Sequence, residues 1–257
     1  AWTITAAANG LHTSGTLHVI TATVAALRLH PADATIAAGE RLTYTVWATD
    51  TAGNAWDATG GAYLTVDSPA RGTWHGSAYT SEAAGTWRVT ALYGGQVAAA
   101  DLTVTPGTAM DIALNPREET IAAGESLTYT VTAQDALGNA WDATADAAFA
   151  ITPEAGGAWS GNQYTGEIAG VWPVTATVGA AQATATLNVT HSDATQLTLA
   201  PASAILTAGQ SITYTVTAQD AFGNLWDATA DARIASPSAA GGTWDGARYT
   251  TQYAGAW

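Results

Sequence analysis

Apolar and polar residues alternate along most of the chain. Leu127, Tyr129, Val131 and Ala133 are interleaved with Thr128, Thr130, Thr132 and Gln134. A period of two puts one set on a buried face and the other in water, which predicts a strand. Asp135-Ala136-Leu137-Gly138-Asn139 then supplies turn residues, with a glycine free to take positive φ. A second strand region is predicted from Trp141 to Ile151, broken by Pro153-Glu154-Ala155-Gly156-Gly157. Short strands follow around Trp159 and Tyr164. Trp172, Val174, Ala176 and Val178 alternate again, Gly179-Ala180 turns the chain, and Ala185, Leu187 and Val189 close the segment. No helical stripe competes with this pattern.

The same pattern recurs. Ala38-Gly39-Glu40 returns as Ala123-Gly124-Glu125 and as Ala208-Gly209-Gln210. Tyr44-Thr45-Val46, Gly53-Asn54 and Pro31 return in step, always 85 residues on and without insertion or deletion. Trp56, Trp141 and Trp226 form one series, Trp74, Trp159 and Trp244 a second, and Trp87 and Trp172 a third. About seven short strands per period, with frequent turns, predict tandem immunoglobulin-like β-sandwiches: an all-β fold in a linear array with an 85-residue period.

Trp2 and Trp257 share the phase of Trp87 and Trp172, so the termini are out of step with the sandwiches. Residues 27–105 and 112–190 are two complete units. Residues 197–257 are a third that lacks its last two strands, and residues 1–24 read as the last two strands of a preceding unit. Either the stretch is an excerpt of a longer repeat protein, or copies join head to tail by strand complementation. Trp2, Ile4, Leu17, Val19 and Trp257 are the residues expected at such a completed joint, although Trp2 and Trp257 would claim one place. The joins around residues 106–108 and 191–193 are short, which favours a stiff rod over loose beads.

Residues 123–139, Ala169-Gly170-Val171-Trp172 with the strand that follows to Val178, and Ala185-Thr186-Leu187-Asn188-Val189-Thr190 resemble bacterial immunoglobulin-like repeats. These are the invasin/intimin-like modules, or Big domains, found in tandem in large secreted surface proteins. The resemblance covers essentially the whole chain. It implies a β-sandwich array and no catalytic residues, and that fold hosts stalks, adhesins, filaments and sugar-binding modules alike.

Composition narrows the chemistry. Seven basic residues, all arginine, face 21 acidic ones, for a net charge of −14. That balance argues against nucleic acid and against anionic lipid. No apolar run in this stretch approaches the roughly 20 residues that span a bilayer. The lack of cysteine excludes disulfides, thiolate zinc and cysteine nucleophiles, and the lack of lysine excludes Schiff bases and Lys–Asn isopeptide links. Only 11% of residues are charged, and a neutral threonine-rich surface points to an extracellular or cell-surface β protein. There is no nucleophile elbow, phosphate loop or His-Glu metal helix, so no enzyme is expected.

The remaining candidates each carry a plainer reading. Asp135, Asp142 and Asp146 recur as Asp220, Asp227 and Asp231, and clustered hard oxygens would suit calcium at the joints. The same aspartates would equally shape turns, which is the reading preferred. The tryptophans of the repeating series would fill an alanine-rich core or, at Trp74, Trp159 and Trp244, stack on sugar rings. Trp47 stands where Thr132 and Thr217 stand in the other units, which makes it the best candidate for a lateral contact. Asn188-Val189-Thr190 is a glycosylation sequon on an outward phase. His12, His18, His30, His75 and His191 do not repeat and read as solvated. Together these features predict the structural shaft of an extracellular filament, fibre or surface stalk. The partners would be copies of itself or adjacent repeats of a longer chain, and possible glycan. The alternatives are an adhesin stalk that binds a receptor or glycan, and a carbohydrate-binding repeat array.

Overall fold

The computed structural model describes residues 1–256 as an all-β protein whose only helical pieces are single 3-10 turns. It divides into two compact units. One holds residues 1–110 together with 134–141, and the other holds residues 111–133 with the described residues from Asp142 onward.

The first unit contains the first repeat. Val24–His30, Thr45–Asp50 and Ala55–Asp57 make one sheet, and Asp33–Ala37, Gln96–Thr105, Gly85–Tyr93 and Tyr63–Val66, in that spatial order, make the facing four-stranded sheet. A small third sheet joins Arg41–Thr43, Ala78–Thr80 and Thr73–His75. The first strand of the repeat crosses from one sheet to the other at Pro31, which has no N–H to give to a ladder. His30-Pro31, Asn115-Pro116 and Ala200-Pro201 are all cis. Val46, Val89, Ala91, Leu102 and Tyr79 are fully buried between the sheets, with Trp56, Trp74 and Trp87 packed against them. Burying one such aliphatic side chain stabilises the fold by about 1.5–3 kcal/mol.

In the second unit, the second repeat has the same four-stranded sheet. Glu118–Ala122 runs parallel to Ala181–Thr190, which pairs antiparallel with Gly170–Val178, and Ala148–Ile151 forms the far edge. The strand region expected from Trp141 to Ile151 is interrupted. A 3-10 turn at Thr144–Asp146 carries the chain between sheets, tied back where Thr144 Oγ1 accepts the Val131 N–H at 2.8 Å. Sheet crossing and this turn split long strands, so a repeat has more and shorter strands than seven. Gly157 is required where it stands: a Cβ there would lie 2.1 Å from the Thr165 carbonyl oxygen.

The third repeat keeps two sheets. Gln196–Ala200, Thr215–Gln219 and Leu225–Asp227 form one, and Ser211–Thr213, Arg248–Thr250 and Thr243–Asp245 form the other. Residues 203–207 and 233–236, which match the outer strands of the four-stranded sheet, belong to no strand. The central pair that would join them has no counterpart among the described residues. At the other end of the chain, Trp2–Ala8 and Leu11–Leu17 form an isolated two-stranded hairpin, and every residue in it is exposed.

Candidate joint sites

Each repeat carries the same loop, Asp-x-x-Gly-Asn, and the loop is built around its aspartate. Asp135 Oδ1 accepts the N–H groups of Leu137 and Asn139, both at 2.9 Å. Its Oδ2 accepts Asn139 Nδ2 and the Gly107 N–H, both at 2.8 Å. A carboxylate offers about four acceptor positions, and all of them are used. Gly138 takes φ of 85° to close the turn. The Gly107 contact pins the linker, and it recurs: the Ala22 N–H donates to Asp50 Oδ2 at 3.0 Å and the Ser192 N–H donates to Asp220 Oδ2 at 3.0 Å.

The hydrogen bonds set the acidity of these aspartates. Donation by Asn54, then by Ala22, holds the Asp50 carboxyl down at about 2. Burial pushes Asp220 up, but donation by Asn224, Ser192 and Phe222 outweighs it and leaves the group at about 2. Asp135 is held below the ordinary carboxylate range by the same contest. Asp142 and Asp227 are lowered by hydrogen bonds from Thr144 and Thr229, whose N–H groups they accept at 2.9 Å each.

The asparagine at the end of the loop does something the sequence did not reveal. Within the first unit, Asn139 Nδ2 donates to the Glu82 carbonyl at 2.8 Å, and Asn139 Oδ1 accepts the Ala84 N–H at 2.8 Å. One side-chain amide thus clasps two backbone groups of the preceding repeat. Within the second unit, Asn224 does the same with the Glu167 carbonyl and the Ala169 N–H, at 2.8 Å each. Both asparagines are buried, whereas Asn54, which has no preceding repeat in this chain, is exposed. Apolar plugs sit beside the clasps. Leu137 lies over Gly39 and Phe222 over Gly124, where a Cβ would come within 2.8 Å of the ring. The repeated Gly-Asn spacing signalled the turn, but the clasp partners are backbone atoms that no sequence motif marks. The structure also stacks His191 face to face on Trp226, with centroids 3.6 Å apart, where only solvation was expected.

The other predicted residues fall into distinct places. Asp146 and Asp231 lie apart from the loop aspartates, and no three His, Asp or Glu side chains converge on a metal-sized site among the described residues. Trp74, Trp159 and Trp244 are half-buried in aromatic clusters: Trp159 packs against Tyr164 at 5.0 Å and Phe149 at 5.4 Å, and Trp74 against Tyr79 at 5.1 Å. Trp244 meets Tyr249 at 4.8 Å. Trp56, Trp141 and Trp226 are half-buried on short strands. Trp87 and Trp172 fold back over Gly85 and Gly170 and donate Nε1–H to the carbonyls of Ala83 and Ile168, at 2.9 Å each. Trp47 is exposed on the outer face of its strand. Asn188 is half-exposed on a sheet strand beside Thr120, not in a loop. Trp2, Ile4, Leu17 and Val19 are all exposed, and Trp257 lies outside the described residues.

The solved structures similar to this chain contain several domains in one chain. Domains 1–6 of the surface layer protein SbsC align at 19% identity over 94% of this chain and 40% of that one, with a TM-score of 0.30. The human desmocollin-1 ectodomain aligns at 15% identity over 76% of this chain and 41% of that one, with a TM-score of 0.39. Cadherin domains 1–4 of protocadherin gamma B7 align at 10% identity over 88% and 67%, with a TM-score of 0.36. Likeness at this level concerns the fold alone, and the chain spans less than half the length of the first two. No family model and no curated protein matches the chain.

Proposed function

We propose that this chain is a segment of an extracellular structural shaft, the body of a filament, fibre or surface stalk, built from immunoglobulin-like repeats of the invasin/intimin-like kind. The function is mechanical, with no catalysis and no required cofactor. The observation that carries the reading is the asparagine clasp, which recurs with the same partners and distances at two joints 85 residues apart. A joint that had only to connect would not need a buried amide bound to two backbone groups and a linker pinned to a buried aspartate. These contacts restrict rotation between neighbouring repeats, which is what a load-bearing array needs. Calcium is not needed to stiffen such joints, since the oxygens of Asp135 are already filled by N–H donors.

Spin labels at Thr175→Cys and Thr217→Cys, both within the second unit, test this directly, because the chain has no cysteine of its own. A narrow distance distribution is expected, broadening when Asp220 and Asn224 are both changed to alanine. A distribution already broad in the parent, or one unmoved by the double variant, would remove the basis for a shaft. A glycan-binding surface rests on Trp47, the exposed tryptophan outside the repeating series. Loss of glycan capture in Trp47→Ala would support it.

A further inference from the structure

We propose that the outer face of the first repeat's three-stranded sheet, Val24–His30, Thr45–Asp50 and Ala55–Asp57, pairs with the same face of a second copy of this chain, about a two-fold axis that runs along the strands beside Trp47. This gives the shaft reading a lateral contact, and it stands on a separate observation. Arg28 lies opposite Trp47 on one neighbouring strand, and Asp57 lies opposite it on the other. All three are exposed and point away from the core, since the residues that alternate with them, Leu29, Val46, Ala48 and Ala58, are buried. Strand spacing sets the two charges about 5 Å to either side of the indole, so the row reads positive, aromatic, negative.

The row belongs to the first repeat alone. At the same positions the third repeat pairs Thr198 with Thr217 and Thr217 with Asp227, and the second has Ala113, Thr132 and Asp142. The aspartate recurs because it has a local task. Asp57 Oδ1 accepts the Thr59 N–H at 2.8 Å, as Asp142 and Asp227 accept those of Thr144 and Thr229. The Thr59 bonds hold its carboxyl below the ordinary range, so it is charged at neutral pH. Arg28 and Trp47 are the additions, and they meet in one cross-strand pair. Trp47 is 47% exposed and stands outside the core cluster that takes in Trp56, Trp74 and Trp87.

The order of the charges selects the partner and the symmetry. Two stacked sheet faces can be related by a two-fold axis lying between them, either across the strands or along them. An axis across the strands would set Arg28 over Arg28 and Asp57 over Asp57. An axis along the strands exchanges the two sides of the row. Arg28 of each copy then meets Asp57 of the other, and the two indoles overlap in an offset stack. A second copy presents this reversed pattern by symmetry alone. The face is small: strands of 7, 6 and 3 residues offer roughly 250 Å² a side, against about 800 Å² a side in a standard stable interface. A single contact is therefore weak and reversible.

The test is sedimentation equilibrium of the 257-residue chain from about 10 µM to about 1 mM. The weight-average mass should rise toward that of a dimer, and should rise less in high salt. Arg28→Glu makes both flanks negative and Asp57→Arg makes both positive. Each variant alone should raise the dissociation constant by about tenfold or more, while an equal mixture of the two should associate at least as well as the parent. Trp47→Thr installs the residue of the other two repeats and should abolish association with an unchanged circular dichroism spectrum. It carries the test if Asp57→Arg, which gives up the Thr59 bond, loses its fold. A parent that keeps its single-chain mass at the highest concentration, association that survives Trp47→Thr, or folded charge variants that do not pair when mixed would each overturn the proposal. A parent that stays monomeric and captures glycan through Trp47 would overturn it in favour of a sugar platform. None of these results touches the spin-label test of the shaft, which reads a joint inside the second unit and needs no association.

Discussion

The second and third repeats have nearly the same residues at their structural positions and reach different ends. Both keep the tyrosine–tryptophan cluster, the loop aspartate and the clasping asparagine. Yet Ile112 and Leu114 in the second expose 6% and 2% of their surface, while Leu197 and Leu199 at the same positions in the third expose 62% and 43%. The difference is one hairpin. Gly170–Val178 and Ala181–Thr190 supply the middle of a four-stranded sheet, and no such pair joins residues 203–207 and 233–236 among the described residues. The sheets that survive are those whose strands pair with each other. Local sequence makes those sheets, whereas the four-stranded sheet depends on its central pair.

The comparison breaks most sharply at one pair of leucines. Leu187→Ala removes a fully buried side chain from the finished core and should cost about 2–5 kcal/mol in urea unfolding. Leu17→Ala, at the same phase in the exposed hairpin, should change the dilute chain by less than about 0.5 kcal/mol. Equal costs would mean that the hairpin is already packed. A second contrast lies among the asparagines. Asn139→Ala and Asn224→Ala each remove two hydrogen bonds to backbone groups of the preceding repeat and should cost about 1–3 kcal/mol, whereas Asn54→Ala should cost clearly less because no such pair is clasped among the described residues.

Acid tests the loops. Asp50 and Asp220 titrate near 2 in the folded chain, below the ordinary aspartate value, and Asp135 is displaced in the same direction. The unfolded state therefore takes up protons first as pH falls. The stability these carboxylates contribute is complete above about pH 4 and drains away between about 4 and 2. Asp220→Asn should flatten that part of the acid-unfolding curve measured by tryptophan fluorescence. A curve of unchanged shape would show that the loop hydrogen bonds do not act on the folded state.

The smallest effect separates two tyrosines of one cluster. The buried hydroxyl of Tyr129 has no hydrogen-bond partner, and its burial raises the group to about 12. The Tyr164 hydroxyl donates to the Gly156 carbonyl. Tyr129→Phe should therefore leave thermal stability unchanged or slightly raise it, and Tyr164→Phe should lower it by about 1 kcal/mol.

Much of this was legible in the sequence, and for a physical reason. Side-chain period, glycine spacing and repeat phase are local, so the all-β class and the 85-residue unit could be read directly. Pro116 was readable as a punctuation mark, but not as the point where a strand changes sheets, because that depends on which strands flank it. The clasp of Asn139 on Glu82 and Ala84 was hidden for a different reason. Its partners are backbone atoms of another repeat, and any residue types there would serve. The turn-shaping role of the loop aspartates was readable, but the linker N–H groups of Ala22, Gly107 and Ser192 that they also accept were not.

Amide hydrogen exchange tests the central claim most directly, that the asparagine clasps hold neighbouring repeats together. The N–H groups of Ala84 and Ala169, which donate to Asn139 and Asn224, should be protected in the parent chain and should lose that protection in Asn139→Ala and Asn224→Ala respectively. Exchange at the same rate in parent and variant would contradict it.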